Sequence, residues 1–434
     1  MSASLANAIE VHHLHRKEPC KIALVGFGTV GSAVARLLWE RTGEHSLRVS
    51  HVCNRAVHRK KVDWLEGAQW TDDIEQVLDS DADVLVELVG GVEPARDWVR
   101  RALQSGKSVV TANKQLIARH GAELIELARR HSQHLAFGAC VAGGVPVLSG
   151  LQEGLAGDRM KKVTGILNGT CNYILSRIEK TGASFAEALV EAQRAGFAEA
   201  DPTDDVDGYD ARAKLCVLAY VAFNAYVVPE EISCQSIRRI TKVDMEYADV
   251  LGCTIRQLSR VAVDADRLQA AVGPVLVSKQ SPIASVVGSQ NLVVSTGEFG
   301  GDTVFSGFGA GGNPTAVAVV SDLLQVAKYL NRPAAAGHRA VPTKMTISGD
   351  YEEPHYVRFV VSDRPGILAQ LATIFAKHEL NIDAVLQRPG YAKDNLPFVV
   401  TLEPCLASKL RAALDEVAHF DFLAEAPFEM PILR

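Results

Sequence analysis

The sequence lacks the cysteine patterns of disulfide frameworks and of zinc sites. Its eight cysteines are scattered and no two form a CxxC pair, which fits the reducing cytoplasm. No apolar run is long enough to span a bilayer, and the first 19 residues lack the apolar core of a signal peptide. The net charge of -6 disfavours nucleic acid or an anionic membrane as a partner. We therefore expect a cytoplasmic protein without either kind of partner.

Length and composition indicate several packed domains behind a short tail. The 434 residues predict roughly three domains of about 150 residues, and a hydrophobic content of 47% is enough for packed cores. Residues 1–19 are expected to form a disordered extension. His12, His13 and His15 in this extension could bind a metal, but a polar tail is the preferred interpretation.

A glycine-rich motif follows the first apolar run, at 22–25, and precedes a helical pattern at 32–38. The motif consists of Gly26, Phe27, Gly28, Thr29, Val30 and Gly31. Gly26 permits the sharp turn, Gly28 lets the backbone approach phosphates, and Gly31 lets helix and strand pack closely. This strand–turn–helix context predicts a dinucleotide site.

The second predicted strand, 47–53, bears on the type of cofactor. Sites for NAD place an acidic residue at the end of this strand to bind the ribose 2′-hydroxyl. Here Arg55 follows instead, and basic residues continue at 58–61. Arg55 could hold a 2′-phosphate by bidentate contact. NADP(H) is therefore preferred and NAD(H) remains an alternative, as does a merely solvated basic helix start.

Strands and helices continue to alternate up to residue 141. Strands are expected at 82–89, 108–111 and 135–141, and helices at 95–105 and 121–131. This order predicts a parallel, doubly wound sheet. Because ligands bind beyond the carboxyl ends of such strands, Lys114 is a candidate ligand contact. A surface lysine is the alternative.

A dense acidic segment at 196–214 leads into an apolar helix. Asp207 is the expected N-cap, with Asp210 three residues on as in a capping box. Asp210 and Lys214 are four residues apart and share a helix face. A lysine at the head of a buried helix is costly unless it is paired, and such a lysine can act as a proton donor. A structural salt bridge is the alternative.

Several motifs together resemble the homoserine dehydrogenase family, in the form that carries a C-terminal ACT domain. They are GFGTVG (26–31), TANK (111–114), VAGGVP (141–146), ILNGTCNYIL (166–175), GFAEADPTDDVDGYDARAK (196–214) and SGFGAGGNPTA (306–316). The resemblance implies NAD(P)-dependent interconversion of L-homoserine and L-aspartate 4-semialdehyde, in threonine, methionine and isoleucine synthesis. It also implies an α/β fold with a Rossmann-type domain, an α+β substrate and dimerisation domain and a βαββαβ ACT domain.

The resemblance also implies roles for single residues. Lys214 matches the proton donor, and Lys114 matches a second active-site lysine near the nicotinamide. Glu199 and Asp210 match substrate-binding residues, and Asp210 would also hold Lys214 in place. The expected cofactor contacts are Gly26, Phe27, Gly28, Thr29, Val30, Gly31, Arg55, Lys114, Gly196, Gly309 and Gly311.

A monovalent cation site of the family is in doubt in this sequence. Val141, Gly143 and Val145 occupy the positions of its carbonyl donors. The expected glutamate position falls on Gly138, which removes the only charged ligand for a hard cation. We therefore expect the sodium or potassium site to be absent or weak.

The expected domain bounds follow from these motifs. The nucleotide-binding domain should cover 20–146 and be completed by 313–330, and the substrate domain should cover 147–312. A linker at 331–354 should lead to the ACT domain at 355–434. By resemblance, the middle sheet forms a homodimer, and ACT pairing could give a homotetramer.

The ACT domain implies an amino-acid effector, such as L-threonine. The turn after its first strand and the start of its second would face this ligand. The candidate effector residues are Asp363, Gly366, Asn381 and Ile382. Oligomer scaffolding without a ligand is the alternative.

Two other functions compete with this interpretation. A semialdehyde dehydrogenase would need a thiolate nucleophile, and Cys140 and Cys171 have no histidine nearby in the sequence. A non-catalytic sensor of cofactor and amino-acid levels is disfavoured because Lys214, Asp210 and Glu199 occur together in one motif.

Overall fold

The computed structural model describes residues 19–264, 267–330 and 342–433. The expected extension at 1–19 lies outside these ranges except for Pro19, and the first part of the expected linker lies outside them as well. None of the helices in these ranges combines the length and the apolarity that crossing a bilayer would take.

The first unit is a parallel sheet with helices on both faces. Its strands are β1 (Cys20–Val25), β2 (Leu47–Cys53), β3 (Gln69–Thr71), β4 (Val84–Glu87), β5 (Ser108–Thr111) and β6 (Leu135–Ala136). Its helices are α1 (Thr29–Glu40), α2 (Val57–Lys60), α3 (Ile74–Leu78), α4 (Ala95–Gln104) and α5 (Lys114–Arg130). The strand order is β3-β2-β1-β4-β5-β6, the Rossmann arrangement. The doubly wound fold predicted from the sequence is confirmed.

The middle unit packs helices on an antiparallel sheet. Its helices are α6 (Val147–Ser149), α7 (Gly169–Thr181), α8 (Phe185–Arg194), α9 (Thr203–Val206), α10 (Tyr209–Phe223) and α11 (Lys242–Val250). Its strands are β7 (Met160–Ile166), β8 (Ala225–Tyr226), β9 (Ser233–Cys234), β10 (Cys253–Asp264), β11 (Arg267–Ser278), β12 (Gln290–Gly297) and β13 (Gly301–Phe308). Short 3₁₀ or π turns cover Gly138–Cys140, Gly150–Gly154, Pro229–Glu231 and Pro282–Ser285.

Helix α12 (Gly312–Tyr329) returns the chain to the first unit. It packs against α1. Its buried residues Val319 and Leu323 join the same apolar core as Val34 and Leu38 of α1. Burial of this face fixes the position of the loop that precedes α12, which becomes important at the site described below.

The last unit is a four-stranded antiparallel sheet with two helices. After the short strands β14 (Thr343–Lys344) and β15 (Thr346–Ser348), it contains β16 (Glu352–Val361), α13 (Ile367–Lys377), β17 (Ile382–Gln387), β18 (Leu396–Leu406), α14 (Ala407–Val417) and β19 (Phe428–Leu433). The expected βαββαβ order is present. Leu276 and Val277 of β11 pair with Ile432 and Leu433 of β19, so the last sheet continues the middle sheet edge to edge.

Three local predictions are wrong. The strand expected at 135–141 ends at Ala136, because a 3₁₀ turn at Gly138–Cys140 follows it. The sequence also predicts the last strand of the ACT domain near 422–428. It begins at Phe428, because the segment before it forms turns around Phe422, which is buried in the core of this unit. Asp207 does not cap α10. It ends α9, and its carboxylate accepts hydrogen bonds from Ser236 and Arg238, while α10 begins after Gly208 at φ +87°. Partners distant in the sequence therefore override the local capping pattern.

A buried ion pair joins the last unit to the middle one. Asp244 of α11 is fully buried and accepts hydrogen bonds from Arg358 and from the Tyr356 hydroxyl at 2.9 Å, both on β16. It also caps α11 together with Thr241. Removing one member of such a pair leaves an uncompensated charge in a medium of low polarity.

We predict that Asp244→Ala lowers the free energy of unfolding by about 3–5 kcal/mol, because the buried Arg358 loses its buried partner and keeps only the half-exposed Glu425. Urea unfolding monitored by circular dichroism measures this change. Asp249→Ala is the matched control on the same helix, since Asp249 is exposed and forms a surface pair with Lys279; it should cost about 0–1 kcal/mol. Equal effects of the two substitutions would contradict the assignment of Asp244 as the docking contact.

Candidate active site

The glycine motif forms a tight turn between β1 and α1. Gly26 has φ +103°, and a Cβ at Gly31 would lie 2.1 Å from the Gly26 oxygen, so helix and strand meet too closely for a side chain. Gly28 precedes α1 and faces open space. No side chain caps this helix. The first backbone N–H groups of α1 are therefore free to bind a phosphate.

Two buried polar residues shape the neighbouring strand ends. Glu87, at the end of β4, accepts hydrogen bonds from Thr111 Oγ1 at 2.6 Å and from the backbone N–H of Val89 at 2.9 Å. Asn113 accepts from the N–H of Leu116 and so caps α5. The cap fixes the first residue of α5, Lys114, at the carboxyl edge of the sheet.

The chemically most unusual feature is a carboxylate between two lysines. Asp210 lies in the first turn of α10, and its Oδ2 accepts from Lys214 Nζ at 2.7 Å. Lys114 Nζ lies 3.1 Å from Asp210 Oδ1. Burial would raise the pKa of Asp210, but Lys214 and Lys114 outweigh burial and hold it well below its usual range. Asp210 in turn raises the pKa of Lys114.

Asn168 connects this triad to a second carboxylate. Its Nδ2 donates to Asp205 Oδ1 at 2.6 Å and to Asp210 Oδ2 at 2.9 Å. Its Oδ1 accepts from the N–H of Cys171 and caps α7, which fixes the amide orientation. Burial raises the pKa of Asp205, opposed by the bond from Asn168. The two carboxylates are thus held near each other by one neutral donor.

Backbone groups complete the surroundings of Lys214. Its Nζ donates to the carbonyl oxygen of Leu167 at 2.7 Å, which also accepts from Asn291 Nδ2 at 3.2 Å. A Cβ at Gly309 would lie 2.1 Å from Asn291 Cγ, and one at Gly143 would lie 2.6 Å from the Gly309 oxygen. The backbones of Gly143 and Gly309 therefore meet directly, and the Asn291 side chain packs against Gly309 beside the lysines.

Both lysines, Glu87 and Asn113 line one cleft of about 430 Å³, whereas Asp210, Asn168 and Asn291 support the lysines without lining it. Seven of the residues predicted from the sequence line it, namely Thr29, Val30, Lys114, Gly143, Lys214, Gly309 and Gly311. The cleft thus joins the start of α1, the loop before α12 and both lysines. The glycine backbone at one end of the cleft can bind a dinucleotide, and the lysine side chains at the other end can transfer protons to or from a small substrate.

Other predicted residues lie outside the lining of this cleft. Phe27 is buried against Trp70, with ring centroids 4.9 Å apart. Arg55 is exposed just after β2. Gly196 and Glu199 are exposed on the loop after α8. Thr170 Oγ1 donates to the carbonyl of Phe197 in this loop, at 2.6 Å, and so ties it to the start of α7.

In the segment expected to bind a cation, one carbonyl oxygen accepts a hydrogen bond, and a carboxylate not predicted from the sequence lies beside Gly138. Val145 already accepts a hydrogen bond from the N–H of Val147 at 2.8 Å, while Val141 is buried. The N–H of Gly138 donates to Asp322 Oδ2 at 2.7 Å, and a Cβ at Gly138 would lie 2.6 Å from Asp322 Oδ1. Burial raises the pKa of Asp322 to about 7. Asp322 thus brings a buried carboxylate beside the glycine that replaces the expected glutamate, and the weak or absent cation site stays a prediction.

The thiols needed by the semialdehyde alternative lack the activation of a nucleophile, although Cys140 lines the cleft. Cys140 and Cys171 are buried, and burial raises the pKa of both well above its usual range. Cys171 Sγ donates to the carbonyl of Asp205 at 3.1 Å, and Cys140 Sγ lies 3.6 Å from the carbonyl of Thr111. In the part of the chain that the structure describes, no group of three or more acidic, cysteine or histidine side chains is arranged to hold a metal ion.

Family models match all three units. A model described as homoserine dehydrogenase matches residues 146–324. The model of the homoserine dehydrogenase NAD binding domain matches residues 26–138, and the ACT domain model matches residues 355–417. The homoserine dehydrogenase of Synechocystis is 37% identical over 431 residues, which are 95% of this chain and 99% of the relative.

The chain belongs to the homoserine dehydrogenase family. Homoserine dehydrogenase of Mycobacterium tuberculosis is 41% identical over 383 residues, covering 86% of this chain and 87% of that protein. The crystal structure of a homoserine dehydrogenase from Thiobacillus denitrificans superimposes with a TM-score of 0.89 at 33% identity, covering 96% and 98% of the two chains. A hyperthermophilic archaeal homoserine dehydrogenase in complex with NADPH gives a TM-score of 0.62 at 27% identity over 71% of this chain and 98% of that one.

These matches establish an oxidoreductase with a nicotinamide-binding domain and an ACT domain. The resemblance stated from the sequence is confirmed at this level. Sequence reasoning did not give a role to Glu87, Asn168 or Asn291. Glu87 could have been noticed as a lone carboxylate in an apolar strand. Asn168 lies in the ILNGTCNYIL motif, but its partner Asp210 is 42 residues away, so the motif did not show what its side chain binds. Asn291 lies outside the quoted motifs, and its partner is 124 residues away.

We predict that Asn168→Ala lowers kcat/KM for homoserine about 10- to 100-fold, because Asp210 and Asp205 lose a shared donor. Steady-state kinetics over a range of pH measures this loss, and the acidic limb of the profile should move as Asp205 loses its partner. Asn172→Ala is the control one turn along α7, where the side chain donates only to the carbonyls of Val286 and Gly288. Equal losses of activity and stability in both variants would make Asn168 a structural residue only.

Proposed function

We propose that this chain interconverts L-homoserine and L-aspartate 4-semialdehyde with NADP(H) as the preferred cofactor and Lys214 as the proton donor. The observation that supports this most strongly is the Lys114–Asp210–Lys214 cluster at the end of a glycine-lined cleft. The cluster supplies a fixed proton carrier beside the space in which a nicotinamide ring would lie.

The glycine turn would bind the cofactor, and the lysines would serve the proton transfer. The cofactor, when bound, supplies or accepts the hydride. In the reducing direction Lys214 gives a proton to the aldehyde oxygen as the carbonyl carbon receives the hydride, and the alcohol forms. Asp210 keeps Lys214 oriented at 2.7 Å, and Lys114 offsets the charge that remains on Asp210. In the reverse direction Lys214 takes the proton of the alcohol.

Recognition of the substrate would rely on carboxylates around the same cleft. The homoserine ammonium requires negative charge, and Glu199 lies on the exposed loop that Thr170 holds beside α7. The Gln193 side chain also anchors this loop, by donating to the Glu199 carbonyl at 3.0 Å. Closure of the loop over a bound substrate would bring the Glu199 side chain to the ammonium group.

The preference for NADP(H) is supported by Arg55. Its side chain is exposed, makes no hydrogen bond or ion pair within the described residues, and follows β2, where the ribose of a dinucleotide lies in this fold. The NADPH complex of the archaeal relative fits this assignment. NAD(H), the alternative cofactor, has no 2′-phosphate, so the protein would contact only its ribose hydroxyls at this position.

The wider role is proposed from the family. The reaction serves threonine, methionine and isoleucine synthesis, and the ACT domain provides amino-acid feedback. Homodimers would form through the middle sheet, and ACT pairing would give homotetramers. Asp363, Gly366, Asn381 and Ile382 are exposed on the ACT unit, where such pairing could cover them.

We predict that the protein reduces NADP⁺ in the presence of L-homoserine and that Lys214→Ala lowers kcat by about 10²- to 10⁴-fold. Cofactor affinity should stay nearly unchanged, because Lys214 moves a proton and does not hold phosphate. The absorbance of the reduced nicotinamide measures turnover, and fluorescence titration measures cofactor binding.

Lys107→Ala is the control for loss of a buried lysine. Lys107 is 6% exposed and donates to the carbonyl of Ser80, away from the cleft. The Lys107→Ala substitution should lower the free energy of unfolding and leave kcat unchanged. Full activity of Lys214→Ala would remove Lys214 from the chemistry, and no turnover by the folded wild type would reject the proposed reaction.

We predict that Arg55→Ala raises KM for NADP⁺ about tenfold and leaves KM for NAD⁺ unchanged, since only the 2′-phosphate loses a charge-assisted contact. Initial rates with each cofactor measure the two constants. Arg59→Ala removes a neighbouring exposed charge on α2 and should have little effect on either. Parallel changes with both cofactors would show that Arg55 does not discriminate between them.

A further inference from the structure

A second cleft lies between the ACT unit and the middle unit. It has a volume of about 310 Å³ and is bordered by β9, β10, β11, β16, β19 and the first turns of α14. Pockets for small molecules range from about 300 to 1,000 Å³, so this cleft suits a small metabolite rather than a dinucleotide. None of the residues expected to bind cofactor, substrate or effector lines it.

Two charged side chains of this cleft, Arg411 and Glu429, lack a strong ion-pair partner among the described residues. Arg260 donates to both carboxylate oxygens of Glu353, at 2.6 and 3.1 Å, and this buried pair satisfies itself. Arg411 of α14 has no hydrogen bond or ion pair within the described residues. Among the described residues, the one ion pair of the Glu429 carboxylate is with the His355 ring, with Oε2 at 3.6 Å from Nδ1.

The unsatisfied ring of His355 is a second observation that points to a ligand. Its side chain is 1% exposed and lines the cleft, yet neither ring nitrogen has a hydrogen-bond partner within the described residues. The distance of 3.6 Å to Glu429 is too long for a hydrogen bond. Buried polar groups are rarely left unsatisfied, so a polar ligand or water is required here.

We propose that this cleft binds a small zwitterionic α-amino acid. Arg411 would bind its carboxylate, Glu429 its ammonium group, and the His355 ring would complete the hydrogen bonds. One free positive and one free negative group, together with an uncharged donor or acceptor, match a zwitterion better than an anion or a cation. The ligand would bridge two units, since β11 and β16 lie on either side.

The wall of the cleft touches the helix that carries the catalytic lysine. Cys234 Sγ lies 3.8 Å from the carbonyl of Gly208, and a Cβ at Gly208 would lie 3.1 Å from Val272 Cγ1. Gly208 immediately precedes α10, with Asp210 in its first turn. A ligand that shifts Cys234 or Val272 would therefore alter Asp210 and turnover, a consequence that rests on the proposed function.

Calorimetric titration of the full chain with L-threonine, L-isoleucine and L-methionine tests the binding proposal without requiring turnover. At least one probe should bind at millimolar concentration, and Arg411→Gln and Glu429→Gln should each weaken its binding at least about tenfold. Lys409→Gln, which removes an exposed charge of α14 paired with Glu379, should bind as the wild type does. Thermal melts check that each variant is folded.

Asn381→Ala distinguishes this cleft from the effector position implied by the ACT resemblance. Asn381 precedes β17, and β18 and β16 separate β17 from β19. Unchanged binding in Asn381→Ala together with weakened binding in Arg411→Gln supports the cleft. Loss of binding in Asn381→Ala alone, or no binding of any probe to the wild type, overturns the proposal. Turnover with and without the probe then reports the link to Asp210 separately.

Discussion

The arrangement of the site depends on the neutralisation of one buried carboxylate. Asp210 carries its charge in the interior only because Lys214, Lys114 and Asn168 surround it. These partners come from α10, α5 and the start of α7, so one charge links the nucleotide-binding unit to the middle unit. Without the partners, burial would favour a neutral Asp210, and the lysines would lose their fixed positions.

Close backbone contact provides the second constraint. Gly31 meets Gly26 and Gly143 meets Gly309 at distances that exclude a Cβ. The cleft thus has walls of backbone, which offer N–H groups to phosphate and no side chain to occupy the cofactor's place. Packing of α12 on α1 holds the loop containing Gly309 against this wall, so core burial far from the lysines keeps the cleft in shape.

Local patterns predicted much of this structure. The strand–turn–helix at 20–40 and the buried strand Ser108–Thr111 have strong periodic signals, and the Rossmann and ACT units are confirmed. Contacts between distant segments gave no such signal. Pairing of Leu276 with Ile432, which merges two sheets, joins edges that no local pattern relates. Asp207 fails as a cap for the same reason, because Arg238 competes for its carboxylate.

The central claim, that Asp210 and Lys214 act as one unit, is tested most directly by a double-mutant cycle. Asp210→Asn, Lys214→Met and the combined variant are compared in kcat/KM for homoserine. If the pair acts together, the double variant is no worse than the poorer single variant, since the second change removes nothing further. Losses that multiply would show that the two residues act independently and would contradict the account.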